Sequence, residues 1–241
     1  VIVVENNSQD KRTFDYYDKI TAENPKVKIA YYKGDFNFSA ICNFGFESAR
    51  GEHILLLNND VEFISDGFIK EMLSYSQRKD VGAVGAKLYY PDGTIQHAGV
   101  IIGINGSAGH SHKGLQGDTT GDMYRLVTTQ NYMAVTGACL MTKAELYREH
   151  PLDEENFAVA YNDIDFCLKL YEDGYLNVFT PYSEAYHYES KSRGLDETDK
   201  PNPRYEREKK NFQDRWGKYF NYHDPYYNPH FTLLYENYGY K

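Results

Sequence analysis

His53-Ile54-Leu55-Leu56-Leu57-Asn58-Asn59-Asp60-Val61-Glu62 is the stretch that decides the fold. A short run of large apolar residues stops abruptly in two side-chain amides and a carboxylate. The run has the length and composition of a buried strand, expected to be parallel to its neighbours. In open α/β sheets, ligands sit beyond the carboxyl ends of the strands. Asn58, Asn59 and Asp60 therefore stand where a ligand would lie. A carboxylate beside such amides suits a hard divalent cation and the phosphate it carries. The same three residues also make an ordinary polar turn after a strand.

Working back towards the start, Val1 to Val4 is a β-branched run and reads as another buried strand. It ends in Glu5-Asn6-Asn7-Ser8, and a helix to about Thr21 follows, with Ser8 and Asp10 as capping residues. Residues 27–31 form a short strand. Ser39 is the expected N-cap of a helix over residues 40–49 that Gly51 stops. Together with the strand at His53 this is β-α-β-α-β spacing, which predicts a parallel sheet covered by helices. The chain begins inside a strand, so it is expected to start part-way into a longer protein.

Working forward, Ser65 or Asp66 should cap a helix over about residues 68–77, and residues 81–86 form a small-residue strand. Tyr89-Tyr90-Pro91-Asp92-Gly93-Thr94 has the composition of a hairpin turn. The glycine-rich residues 103–121 read as a mobile surface loop, expected to order over the acceptor. His97, His110 and His112 could bind zinc, but without a Cys or carboxylate partner they read as solvated. Residues 129–141 resume strand character, with a break at Thr136-Gly137-Ala138. In Tyr161-Asn162-Asp163-Ile164-Asp165, apolar residues fall at helical spacing through Tyr171, and Gly174 closes the helix. Asp163 falls in its first turn, where the helix dipole favours a carboxylate. That position serves capping as well as catalysis. Residues 176–180 and 184–188 read as two last strands, the second carrying His187. A charged helix over residues 204–220 and a tail rich in aromatics complete the chain.

Composition narrows the function. A net charge of −9 argues against a nucleic-acid backbone as partner, though not against a nucleotide whose phosphates a cation meets. Three separated cysteines, Cys42, Cys139 and Cys167, in apolar contexts read as buried hydrophobes of a reducing compartment. No apolar run reaches the ~18 residues of a membrane span. A cytoplasmic protein is expected, with peripheral association at the inner membrane face open to it.

Val4-Glu5-Asn6-Asn7-Ser8, Asn37-Phe38-Ser39 through Asn43, Leu57-Asn58-Asn59-Asp60, Gly137-Ala138, Tyr161-Asn162-Asp163-Ile164-Asp165 and the segment from His187 to Gly194 resemble, in order and spacing, the family 2 glycosyltransferases with the GT-A fold. The tail Asp224-Pro225-Tyr226-Tyr227-Asn228-Pro229 is similar to that of bacterial polysaccharide members, rhamnosyltransferase-like proteins among them. The resemblance implies an α/β fold with a mostly parallel sheet, a GT-A domain over residues 1–195 lacking its first strand and helix, and a packed tail over residues 196–241. It implies a metal-dependent inverting transferase with a nucleotide-sugar donor and a saccharide or lipid-linked acceptor. Asp60 is similar to the last acid of the DxD motif that binds Mg²⁺ or Mn²⁺, and His187 to the histidine completing that site. Glu5 matches the acid that contacts the nucleotide base. Asn7, Asn37, Asn43, Asn58 and Asn59 fall in the donor-binding motifs, and Asp163 matches the catalytic base. Two positions depart from the family: Asn58 replaces the first acid of DxD, and Asn162 replaces the Glu before the base. The absent first strand would leave Val1–Val4 with an open flank, on which a second copy could pair as a homodimer. The alternative of another class is a carbohydrate-binding or assembly module that kept the fold without turnover.

Overall fold

Local sequence sets the first elements of the computed structural model, which describes residues 1–188 and 202–241. Strand β1 (Ile2–Glu5) leads to helix α1 (Lys11–Glu23), whose N-cap Asp10 accepts from the Arg12 amide. Strand β2 (Lys28–Tyr31) pairs in parallel with β1. Helix α2 (Phe38–Phe46) is capped by Asn37, whose side chain accepts from Ala40 N at 3.0 Å. The expected cap, Ser39, lies inside the helix, and its hydroxyl donates to Phe157 O instead. Gly45 lets α2 lie against β1, because a Cβ there would come within 2.7 Å of Val4 Cγ2.

Strands β3 (His53–Leu57) and β4 (Val61–Phe63) follow, then helix α3 (Phe68–Ser76). Neither Ser65 nor Asp66 caps α3. Its cap is Gly67 at φ 76°, a left-handed conformation that glycine adopts without steric cost. Strand β5 (Val81–Tyr89) turns into β6 (Ile95–His97) as the expected hairpin. Strands β7 (Val100–Ile102) and β8 (Ala108–His110) pair antiparallel, and β9 (Gln130–Tyr132) and β10 (Cys139–Lys143) complete the middle of the chain. Helices α4 (Ala144–Glu149) and α5 (Asn162–Glu172) precede β11 (Leu176–His187), and α6 (Pro203–Trp216) follows the undescribed residues. The two expected last strands are one strand with an irregularity between Thr180 and Glu184. The residues from Glu189 to Gly194, singled out in the sequence, lie outside the described residues.

The architecture is α/β, as expected, but the sheet is mixed instead of mostly parallel. Its order is β3-β10-β5-β11-β4, with β6 on β5 and β9 on β11. Only β5–β11 pairs in parallel within it, while β3 pairs antiparallel to β10 in the register Cys139↔Leu57 to Lys143↔His53. β1 and β2 form a separate pair. Among the described residues, β1 has no strand partner besides β2 and β3 none besides β10, so each presents an open edge.

The sheet is buried on both faces, which is why β5 is buried at every position. Alternate residues divide between two cores. Ala83, Leu140 and Phe179 face the larger one with α4, α5, α6 and the tail, and Val84, Met141 and Val178 face the smaller one with Met72 of α3. The tail is integral to the larger core through Tyr227, Phe231 and Tyr238. The three cysteines are free, and burial pushes the Cys42 and Cys139 thiols up to about 12, as suits small hydrophobes. No described helix is long and apolar enough to cross a membrane.

Residues 103–112 are not a surface loop, whereas residues 113–121 are partly to fully exposed. Ile104, Ser111 and His112 are buried, and the segment includes β8. Ser111 Oγ meets Tyr132 and Tyr238 hydroxyls at 3.0 and 2.9 Å, so the tail covers it. Glycines 103, 106, 114 and 121 serve tight turns at positive φ. The histidines are correspondingly dry. Burial lowers His110 and His112 to about 4, and among the described residues no group of three His, Cys, Asp or Glu side chains could hold a metal ion.

Candidate active site

Strand pairing brings the two expected cation ligands together. β3 ends at Leu57, and the chain turns through Asn58, Asn59 and Asp60 into β4, with Val61 N donating to Asn58 O at 3.4 Å. β4 runs antiparallel to β11 with His187 opposite Val61, and Tyr188 N donates to Asp60 O at 2.9 Å. His187 Nε2 thereby lies 3.1 Å from Asp60 Oδ1 and 3.2 Å from Asn58 Nδ2. Asp60 Oδ1 and Asn58 Oδ1 are both buried without a hydrogen-bond partner. Buried polar atoms left unmatched are costly and call for an explanation. A carboxylate oxygen and an imidazole nitrogen set together suit a divalent cation that takes its remaining ligands from phosphate and water. The residues therefore fit the group that the sequence implied.

Asp163 sits at the start of α5, behind Tyr161 at φ 64°. Its Oδ2 accepts from Gly137 N at 2.7 Å and its Oδ1 from Ile164 N at 2.8 Å. Thr136 adds a side-chain hydrogen bond to the same carboxylate. Burial pushes its pKa up from 3.8, while the Gly137 and Ile164 amides pull it back. Asp165, two residues on, points elsewhere. It is fully buried, accepts from Arg215 Nη1 at 2.7 Å and Trp216 Nε1 at 2.9 Å, and lies 2.7 Å from Lys169 Nζ. One carboxylate faces the sheet and the other ties α5 to α6.

Residues 136–138 join the two sides. Asn58 N donates to Ala138 O at 3.0 Å, and Gly137 N holds Asp163. Thr136 N donates to His97 Nε2 at 3.4 Å, as does Gly99 N at 3.3 Å. His97 therefore carries its proton on Nδ1 and donates it to His110 Nδ1, 2.8 Å away. Sequence reasoning missed this support, because nothing local marks residues 97 and 136 as neighbours. Gly137 has no spare room: a Cβ there would lie 3.1 Å from Asp163 Cβ. Gly137→Ala should displace the carboxylate by a few tenths of an ångström, and misplacements of that order lower turnover about tenfold. Steady-state kinetics with an unchanged melting temperature would bear this out.

Several residues expected to touch the donor are occupied as braces. Glu5 is buried, and its carboxylate accepts from Ser8 N, Ser8 Oγ and Tyr17 OH at 2.6, 2.6 and 3.2 Å. Asn37 Nδ2 donates to Glu154 O while its Oδ1 caps α2. Asn43 uses both ends of its amide, donating to Leu152 O and accepting from Tyr147 OH and Leu152 N. Asn7 Nδ2 donates to Gly34 O. These contacts fix the turns after β1 and the seat of α2. Asn59 is exposed and Asn58 faces His187, so of the donor-side amides these two remain beside Asp60.

A cleft of about 720 Å³ lies between residues 103–106 and the tail, and none of Asp60, His187 and Asp163 lines it.

The sequence and the fold both have known relatives. The model of the glycosyl transferase family 2 matches residues 1–150. An uncharacterized protein, y4gI, of Sinorhizobium fredii is 44% identical over 234 residues, which cover 97% of this chain and 26% of that protein. The O-antigen biosynthesis protein RfbC of Myxococcus xanthus is 34% identical over 241 residues, 97% of this chain and 18% of its own length. The chain thus spans about a quarter or less of these relatives. Among solved structures, GalNAc-T7 with UDP, GalNAc and Mn²⁺ superposes with a TM-score of 0.63 at 14% identity, over 84% of this chain and 39% of that one. The mannosyltransferase PcManGT from Pyrobaculum calidifontis, in complex with GDP-Man and Mn²⁺, gives 0.55 at 16% identity, over 80% and 48%. Both share the GT-A fold.

Proposed function

Because the chain belongs to glycosyl transferase family 2, we propose that it moves a sugar from a nucleotide-diphosphate donor to a saccharide or lipid-linked acceptor, with inversion at the anomeric carbon. The observation that carries this reading is the placement of Asp60 with His187 on one side of residues 136–138 and of Asp163 on the other. In-line displacement needs two separate services, a carboxylate that takes the acceptor proton and charge neutralisation at the leaving group. Asp60, His187 and Asn58 would hold Mg²⁺ or Mn²⁺ together with the donor phosphates. When bound, the cation neutralises the charge developing on the leaving diphosphate.

Asp163 is the base. The Gly137 and Ile164 amides orient its oxygens, and the carboxylate takes the proton of the acceptor hydroxyl. The O-antigen relative supports a role in bacterial surface polysaccharide synthesis, and the Mn²⁺ complexes of the structural neighbours support the cation.

Release of nucleoside diphosphate from a panel of UDP-, GDP- and dTDP-sugars, with Mn²⁺ and with chelator, tests the reading. Mn²⁺-dependent release is expected. Asp60→Asn should weaken donor binding and turnover together, by at least the ~100-fold at the upper end of what a ligand's outer partners are worth. Saccharide binding with no nucleotide release from any donor would make the domain a binding module instead.

A further inference from the structure

Strand β6 is buried at all three positions, yet its middle residue is Gln96, 4% exposed. A buried primary amide is costly unless its groups are matched. Gln96 Nε2 donates to His187 O at 3.4 Å, and Gln96 Oε1 lies 2.7 Å from His187 Nδ1. Turning the amide over would set its oxygen against the His187 carbonyl, acceptor to acceptor, so the orientation is determined. A carbonyl oxygen only accepts. The His187 proton is therefore on Nδ1, and Nε2 keeps its lone pair.

That choice decides what the Asp60–His187 pair can do. With the proton on Nε2, the ring would donate to Asp60 Oδ1, 3.1 Å away, and the two would close on each other. With Nε2 bare, two electron-rich atoms face one point, and Asp60 Oδ1 has no hydrogen bond there. Asn58 Nδ2, 3.2 Å from Nε2, supplies the one donor.

We propose that Gln96 is a positioning residue that locks His187 in the Nδ1–H tautomer and thereby sets the affinity of the Asp60–His187 site for its divalent cation. The inference rests on the reading of these two residues as cation ligands. Metal-binding histidines generally donate their other ring nitrogen to an oxygen, and loss of that partner weakens the metal about 10–100-fold. Gln96 contacts neither cation nor substrate. It acts through the ring it holds.

The test has two independent readouts on the whole chain. Two-bond ¹H–¹⁵N correlations of the metal-free protein, recorded on the neutral ring, report the tautomer. His187 is assigned by its absence from the His187→Gln spectrum. Wild type should show Nδ1–H. Gln96→Leu should move the proton to Nε2, and Gln96→Glu, which still accepts from Nδ1, should not. Mn²⁺ titration followed by electron paramagnetic resonance should give binding about 10–100-fold weaker in Gln96→Leu and close to wild type in Gln96→Glu. Gln96→Met, of similar length and without the acceptor, replaces the Leu variant if that chain does not fold. An unchanged tautomer in the Leu or Met variant, or Nε2–H in wild type, overturns the lock. A shifted tautomer with unchanged Mn²⁺ affinity overturns its effect on the metal. Absence of Mn²⁺ binding by wild type would overturn the cation reading itself, and the spectra would still decide the lock.

Discussion

Asp163→Asn should lower turnover by about 10²–10⁴-fold, the usual worth of a general base, and leave Mn²⁺-dependent donor binding as it was. The amide cannot take the acceptor proton, and Asp163 contacts residues 136–138 and not the Asp60–His187 pair. The pH dependence carries a second signature. Burial raises the Asp163 pKa from 3.8, and the base form exists only above the raised value. The acid limb of kcat/KM should therefore lie higher than for an ordinary aspartate and vanish in the variant. For stability the sign is opposite. A carboxylate whose folded pKa is raised holds its charge at a cost to the fold, so stability falls as pH rises through that pKa. Asparagine removes this cost but accepts at one oxygen only, so the Gly137 or the Ile164 bond is lost, at about 1 kcal/mol. A melting curve beside the kinetics separates the effects.

Asp165→Ala should do the reverse, destabilising the chain by about 3 kcal/mol while the folded fraction keeps its turnover. Removing one member of a buried ion pair costs about 3–5 kcal/mol. The lower figure applies because Arg215 and Lys169 retain 32% and 26% side-chain exposure and can reach water, and Arg215 keeps Asp153 at 2.9 Å. Against a total stability of about 5–15 kcal/mol, a denaturation midpoint would register the loss clearly. The two acids stand two positions apart on one helix, about 200° of rotation, so on the proposed reading one helix start would supply a catalytic and a structural carboxylate. If Asp165→Ala abolishes transfer in folded protein and Asp163→Asn does not, the roles are exchanged.

What could be read from the sequence was what depends on short range. The apolar run before Asn58 marked β3, Asp10 capped α1, Gly174 closed α5, and the 3.6-residue period placed Asp163 and Asp165 on different faces. What was missed depends on contacts made far along the chain. β3 read as parallel because its sequence neighbours follow β-α-β spacing, yet its partner β10 arrives about eighty residues later and runs the other way. The glycines of residues 103–121 looked like mobility because Tyr238, which buries Ser111, lies over a hundred positions downstream. The bracing of Asn37 and Asn43 by the backbone at residues 152–154 was likewise out of sight. Gln96 carried no local signal, because its partner His187 lies ninety-one positions downstream.

The open edge of β3 makes loosening of the sheet directional. β5 is hydrogen-bonded on both sides, to β10 and β11, whereas β3 is held on one. Local opening begins where backbone hydrogen bonds are fewest, so amide protons of β3 exchange with solvent sooner than those of β5. Asp60 follows the strand that frays first, and His187 ends the strand that pairs with β5. A ligand gripping both spans the gradient from the loosest part of the sheet to its firmest. Such a ligand binds the closed arrangement alone and stabilises it by mass action. On the proposed reading the site would act as a clasp, and a donor filling it would also fasten the edge of the sheet.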